Sequence, residues 1–169
     1  QMTNPGKKLN FMGNEIAQGY EWKVGSEIDW HLLGRSQHSG VQTLVRDLNR
    51  LYRDSPALHE LDFSHEGFAW VDCNNADQSV LIYRRMARDG SYVIVLLNFT
   101  PVPRPAYRIG VPHKGGFREI FNSDSYYYGG SNMGNGYGLY TSDVSCNGYG
   151  QSIEVTLPPL AGIVLERMR

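Results

Sequence analysis

The chain has 169 residues, of which 41% are hydrophobic and 20% charged, which is enough for a packed core and excludes intrinsic disorder. Its 16 Lys+Arg and 17 Asp+Glu give a formal net charge of −1, so no field of one sign dominates, and nucleic acid and an anionic membrane surface are poor partners on composition. No apolar run approaches the roughly 18 residues of a membrane span and no secretory leader is expected, which points to the cytoplasm.

The chain opens at Gln1 and reads as a piece of something longer. Lys8, Leu9, Asn10, Phe11 and Met12 read as a short strand ended by Gly13. Residues 14–39 then show neither a helical nor a strand period, and such a stretch in a compact domain is usually functional. Val41, Leu44, Val45, Leu48, Leu51 and Tyr52 recur at helical spacing, with Ser39 and Gln42 placed as a capping box at the start. Asp54-Ser55-Pro56 stops this helix, and Pro56 suits the first turn of a short second one reaching Leu61. Strand, loop and helix make one βα unit, which cannot cover its own strand, so the first third is incomplete by itself.

From Gly67 onward the pattern is of strands. They are predicted at 68–71, 80–83, 92–99, 107–109, 117–121, 153–157 and 163–165. Asp89-Gly90 marks a hairpin before the third, while Pro101, Pro103 and Pro105 forbid a central strand and imply an edge or linker. Ile153, Val155 and Leu157 alternate as a half-buried strand should. About seven short strands at this spacing suggest an antiparallel sandwich, with a boundary near residue 62 dividing 1–62 from 63–169. Residues 124–151 are rich in Gly, Tyr, Ser and Asn. They form either a surface loop packed on its own tyrosines or a secondary sugar-binding surface.

The loop after the first strand gathers the candidate chemistry: Asn14, Glu15, Gln18, Glu21, Trp22, Asp29 and Trp30. Loops at the carboxyl ends of barrel strands form the active face; there, amides and carboxylates can bind sugar hydroxyls while Trp stacks on a pyranose. No G-x-S-x-G, Walker A or H-E-x-x-H motif occurs. Cys73 and Cys146 are too few for a disulfide scaffold and fit no metal spacing; they read as separate thiols, with a single disulfide as the alternative. Asn98-Phe99-Thr100 matches a glycosylation acceptor but sits at the end of a strongly apolar strand, which argues against its use.

The run from Pro5 through Gly13-Asn14-Glu15, Gln18-Gly19 and Glu21-Trp22 resembles the glycogen (1,4-α-glucan) branching enzymes. The likeness continues through Asp29-Trp30-His31-Leu32-Leu33, Leu44-Val45-Arg46-Asp47-Leu48-Asn49, Asn98-Phe99-Thr100-Pro101-Val102-Pro103-Arg104, Asn122-Ser123-Asp124-Ser125, Gly129-Gly130-Ser131-Asn132 and Leu157-Pro158-Pro159-Leu160. Ile16 and Tyr20 depart from the sequences associated with the best-known bacterial members.

The resemblance implies a mainly β fold: a C-terminal antiparallel β-sandwich preceded by the last βα unit of an α-amylase-type (β/α)8 barrel. It implies an enzyme that cuts α-1,4-linked glucan and re-attaches the piece through an α-1,6 linkage, using an Asp nucleophile and a Glu acid/base. Those carboxylates lie on earlier strands in the family, so no catalytic residue transfers to this chain and the chain alone is expected to be inactive. Asn14, Glu15, Gln18, Glu21, Trp22 and Trp30 are the expected glucan-binding residues. The implied partners are α-glucan (glycogen, amylose) and the remaining barrel and N-terminal domains, with no metal or cofactor. A non-catalytic glucan-binding or barrel-bracing module is the alternative, as is the same region of a related debranching or trehalose-forming enzyme.

Overall fold

The computed structural model describes residues 1–136 and 138–168. Its strands are Phe68–Asn75 (β1), Val80–Met86 (β2), Tyr92–Asn98 (β3), Arg104–Gly110 (β4), Gly116–Asn122 (β5), Leu139–Tyr140 (β6), Ser152–Leu157 (β7) and Ala161–Arg167 (β8). They form a six-stranded antiparallel sheet in the order β1-β2-β3-β8-β5-β6, and a two-stranded sheet, β4-β7. The short β6, which pairs Leu139 with Phe117, lies outside the strands expected from sequence. Pro101 and Pro103 precede β4, and Pro105 falls where its register with β7 shifts, so proline interrupts only an edge. No helix among the described residues is long and apolar enough to cross a membrane.

The alternation of β3 sorts the core into two layers. Tyr92, Ile94 and Leu96 join Val80, Ile82, Ile163 and Leu165 against Ile109, Ile153, Val155 and Leu157 of the small sheet. Val93 and Val95 face the other way, with Tyr83 and Val164, against Ala57, Leu58 and the partly buried Leu51 and Tyr52. Tyr83 pairs with Val95, Val95 with Val164 and Val164 with Phe121, so one row crosses four strands on this second face. Burial on both faces is why β3 reads as an unbroken apolar run.

The second face is covered by the helix Ser36–Asp54 (α1) and the 3₁₀ turn Pro56–Leu58. The apolar stripe of α1 lies where the periodicity places it, but the helix begins at Ser36, without a side-chain cap on Arg35. The expected capping box is therefore absent. Ser39 lies within the first turns, and its hydroxyl donates to the Ser36 carbonyl.

Residues 8–12, expected as a strand, are not one: 8–11 carry no regular structure, Met12 lies in a turn, and no described strand pairs with them, as a strand requires. Leu9 and Phe11 are exposed in consequence.

A buried polar node ties this leading segment to the sheet. Arg85, fully buried on β2, donates to the carbonyls of Gly67, Thr3 and Leu58 at 3.1, 2.7 and 3.2 Å and to the Asp62 carboxylate at 2.5 Å. The other Asp62 oxygen accepts from the Tyr52 hydroxyl at 2.7 Å and lies 3.4 Å from the Lys8 ammonium. Thr3 Oγ1 and the Tyr83 hydroxyl are 2.6 Å apart. Burial alone would push the Asp62 carboxyl up, but the Tyr52 and Arg85 donors, with the Lys8 charge, hold it below the usual carboxylate range. Burial pulls Lys8 down, and burial together with the Asp62 bond raises Tyr52.

Asn98 is equally committed. Its amide donates to the carbonyls of Val102 and Pro158 at 2.9 Å, while its Oδ1 accepts from Thr100. The nitrogen of the acceptor motif is thus sealed in the folded chain.

Candidate functional site

The candidate loop is built around Gly13, whose φ of 87° opens the 3₁₀ turn Asn14–Ile16. Ile16 and Gln18 both donate through their backbone N–H to the Gly13 carbonyl, at 3.2 and 3.0 Å. A Cβ at Gly13 would lie 2.9 Å from Gln18 Cβ, so both conformation and space require glycine there. Ile16 is fully buried, and its carbonyl lies 2.8 Å from His38 Nδ1, which fastens the turn to the start of α1.

The six sequence-selected residues divide by what holds them. Glu15 Oε2 accepts from the Gly13 N–H at 3.1 Å and the Asn10 amide at 3.3 Å, which closes the turn. Gln18 braces the loop across its width: Oε1 accepts from the Asp29 N–H at 2.9 Å and Nε2 donates to the Tyr20 carbonyl at 3.2 Å. Asn14 and Glu21 are exposed. The Trp22 ring meets the Phe11 ring edge-on, with centroids 5.5 Å apart at 89°, and keeps half its surface in solvent. Trp30 opens the 3₁₀ turn Trp30–Gly34, next to the Asp29 that Gln18 holds, and is also half exposed.

Asn14, Glu15 and Gln18 therefore share one turn, linked by the Gln18 amide to the Trp30 turn, while Trp22 stands on Phe11. The arrangement offers an exposed aromatic surface beside amides and carboxylates, which suits a neutral, hydroxyl-rich ligand. Among the described residues no three His, Cys, Asp or Glu side chains gather as a metal site, and Cys73 and Cys146 are free thiols.

Sequence reading missed Phe11 as the partner of Trp22, because a strand assignment had already claimed it. It also missed that the tyrosine-rich segment packs on α1, the helix to which this loop is fastened. Tyr126–Tyr128 forms a 3₁₀ turn whose last ring stacks on Phe121, with centroids 5.9 Å apart. The Tyr128 hydroxyl donates to Asp47 Oδ2 of α1 at 3.1 Å. Burial and the Asp47 carboxylate push that phenol up to about 12.

The family described as alpha amylase, C-terminal all-beta domain, matches residues 70–168. A 1,4-alpha-glucan branching enzyme GlgB of Nitrosomonas eutropha is 60% identical over 165 residues, covering 98% of this chain and 22% of that protein. The enzyme of the same description from Methylobacillus flagellatus is 60% identical over 166 residues, covering 98% of this chain and 23% of its own. The chain thus spans less than a quarter of the length of these curated relatives. Among solved structures, a Group B Streptococcus pullulanase superposes with a TM-score of 0.51 over 84% of this chain and 18% of that one. At 16% identity it is a likeness of fold.

Proposed function

This chain belongs to the α-amylase family of C-terminal all-β domains, and from that premise we propose that it is the carboxyl-terminal part of a 1,4-α-glucan branching enzyme. The observation that carries the reading is 60% identity over 98% of the chain, which takes in the candidate loop and α1 as well as the sandwich. The whole enzyme cuts an α-1,4-glucan such as amylose or glycogen, holds the piece covalently, and re-attaches it through an α-1,6 linkage. The Asp nucleophile and Glu acid/base belong to parts of the enzyme outside this chain. The cytoplasm is the proposed setting, in keeping with two thiols that stand free.

In this reading residues 1–62 supply the last strand, loop and helix of the barrel, and residues 63–169 the sandwich that braces it. The Arg85–Asp62 node supports the bracing role, since it fixes the leading segment to β2. Asn14, Glu15, Glu21, Trp22 and Trp30 border the glucan cleft, and Gln18 holds the loop in shape. Trp22 supplies the stacking face.

Two measurements test this. The chain alone leaves amylose–iodine staining unchanged, because a missing nucleophile and acid/base remove many orders of magnitude of rate. In the full-length enzyme, Trp22→Ala weakens glucan use or shifts transferred chain length, by about 1–3 kcal/mol for a lost stacking face. Melting temperature is recorded in parallel. Unchanged glucan kinetics and chain lengths would remove Trp22 from the cleft and leave it a packing residue on Phe11.

A further inference from the structure

Tyr126 and Tyr127 are 77% and 80% exposed, yet the turn that carries them is held on every side. Asp124, itself buried, accepts from the N–H and hydroxyl of Ser131 at 2.9 and 2.6 Å and from the Met133 N–H at 3.0 Å. Asn132 Oδ1 accepts from the Tyr126 N–H at 3.2 Å. Tyr128 is anchored beneath by Phe121 and Asp47. Two large aromatic faces are thus presented from a preorganised backbone, which lowers the ordering cost of binding.

The segment that carries them is itself uncharged, and the nearby Asp124 and Asp47 carboxylates are taken up by hydrogen bonds. Residues 125–136 contain no Asp, Glu, Lys or Arg, only Tyr, Ser, Asn, Gly and Met. Such a surface is poorly suited to a charged protein partner. It suits a polymer that offers flat apolar ring faces flanked by hydroxyls.

The position is equally specific. The Tyr128 carbonyl sits against Gly40, where an added Cβ would come within 2.6 Å of it. Two residues earlier, His38 holds the Ile16 carbonyl of the candidate loop. Two residues of helix are about 3 Å of rise. They are also about 200° of helical turn, so the tyrosine turn and the candidate loop grip the opening turns of α1 from different sides, at the end where a barrel presents its ligand face.

We infer that Tyr126 and Tyr127 form a second α-glucan contact, at the same end of α1 as the Trp22 loop. The inference rests on the glucan reading above and adds a site to it.

Affinity electrophoresis of the 169-residue chain through gels containing amylose tests this directly. Tyr126→Ser/Tyr127→Ser should weaken retardation about tenfold, the loss of one good aromatic stack. Tyr126→Phe/Tyr127→Phe, which keeps the faces, should retain most of the binding, and melting temperature should not move in either. Tyr140→Ser, an exposed tyrosine at the opposite end of β5, should be neutral. Retardation by amylose that is the same in wild type and in the serine pair would overturn the inference while sparing Trp22. A wild-type chain not retarded at all would also overturn it, but would leave the branching reading to stand or fall on the activity of the full-length enzyme.

Discussion

Arg85 and Asp62 meet at 2.5 Å with neither side chain open to water, one on the second strand of the large sheet and the other at the end of the helical segment. A buried pair of this kind is weak as a net source of stability but very costly to break on one side. Arg85→Met would leave Asp62 Oδ1 and three backbone carbonyls without their donor, so it should cost about 3–5 kcal/mol in urea unfolding. A double replacement, Arg85→Met with Asp62→Leu, should recover part of the loss. An Arg85→Met midpoint equal to wild type would show the node to be dispensable.

The same carboxylate sets an acid limit. Asp62 is held below its ordinary value in the folded chain, so the unfolded chain takes up the proton first as pH falls. Its contribution is present in full above the ordinary carboxylate pKa of about 3.9 and is lost as pH drops through the depressed folded value. Wild type should therefore lose stability below about pH 4 more steeply than Asp62→Asn. Parallel acid limbs for the two would remove Asp62 as the cause.

Alkali should act on the tyrosine turn with the opposite sign. Tyr128 is raised to about 12, so its contribution is complete below the ordinary phenol value near 10 and is lost as pH climbs toward 12. Tyr128→Phe should flatten that part of the stability profile. A wild-type profile that matches Tyr128→Phe between pH 9 and 12 would show that the bond to Asp47 is not felt.

Gly40→Ala sets two effects against each other. Alanine favours a helix interior over glycine by about 1 kcal/mol. Here, however, the new methyl would press on the Tyr128 backbone carbonyl at 2.6 Å, and overpacking costs about 1–3 kcal/mol. The substitution should be destabilising on balance and should reduce amylose retardation by displacing the tyrosine turn. A stabilised Gly40→Ala would mean that the turn yields freely.

Amide exchange should divide the leading segment rather than release it whole. Helix α1 lies on the sheet and should be protected, whereas residues 7–12 and 19–28, with few backbone hydrogen bonds, should exchange fast. High protection at Leu9–Met12 in a dilute monomer would contradict the unpaired backbone described above.

Periods of two and of 3.6 residues carried most of the architecture. Val155 and its neighbours alternate, and Leu44, Leu48 and Leu51 recur, because each pattern follows from one face meeting one core. The start of α1 was not legible, since Ser36 to Gly40 precede the apolar stripe and carry no period of their own. Leu9 to Met12 had the composition of a strand, but composition cannot supply neighbours. The candidate turn was readable because Gly13, Glu15 and Gln18 satisfy one another locally. Arg85 finds Asp62 across 23 positions, and Tyr128 finds Asp47 across 81; pairings at that distance leave no trace in local sequence.

The order of the large sheet bears on how the polypeptide is made. β8, the last of these strands to be synthesised, is an interior one, inserted between β3 and β5. At ordinary translation speeds the ribosome spends several seconds on the roughly 60 residues from Asn98 to Ala161. Until β8 is made, the β3 edge from Val93 to Asn98 lacks the partner it has in the folded sheet. Closure of the sheet awaits residues 161–167, so a chain ending ahead of that strand would leave the β3 and β5 edges unpaired.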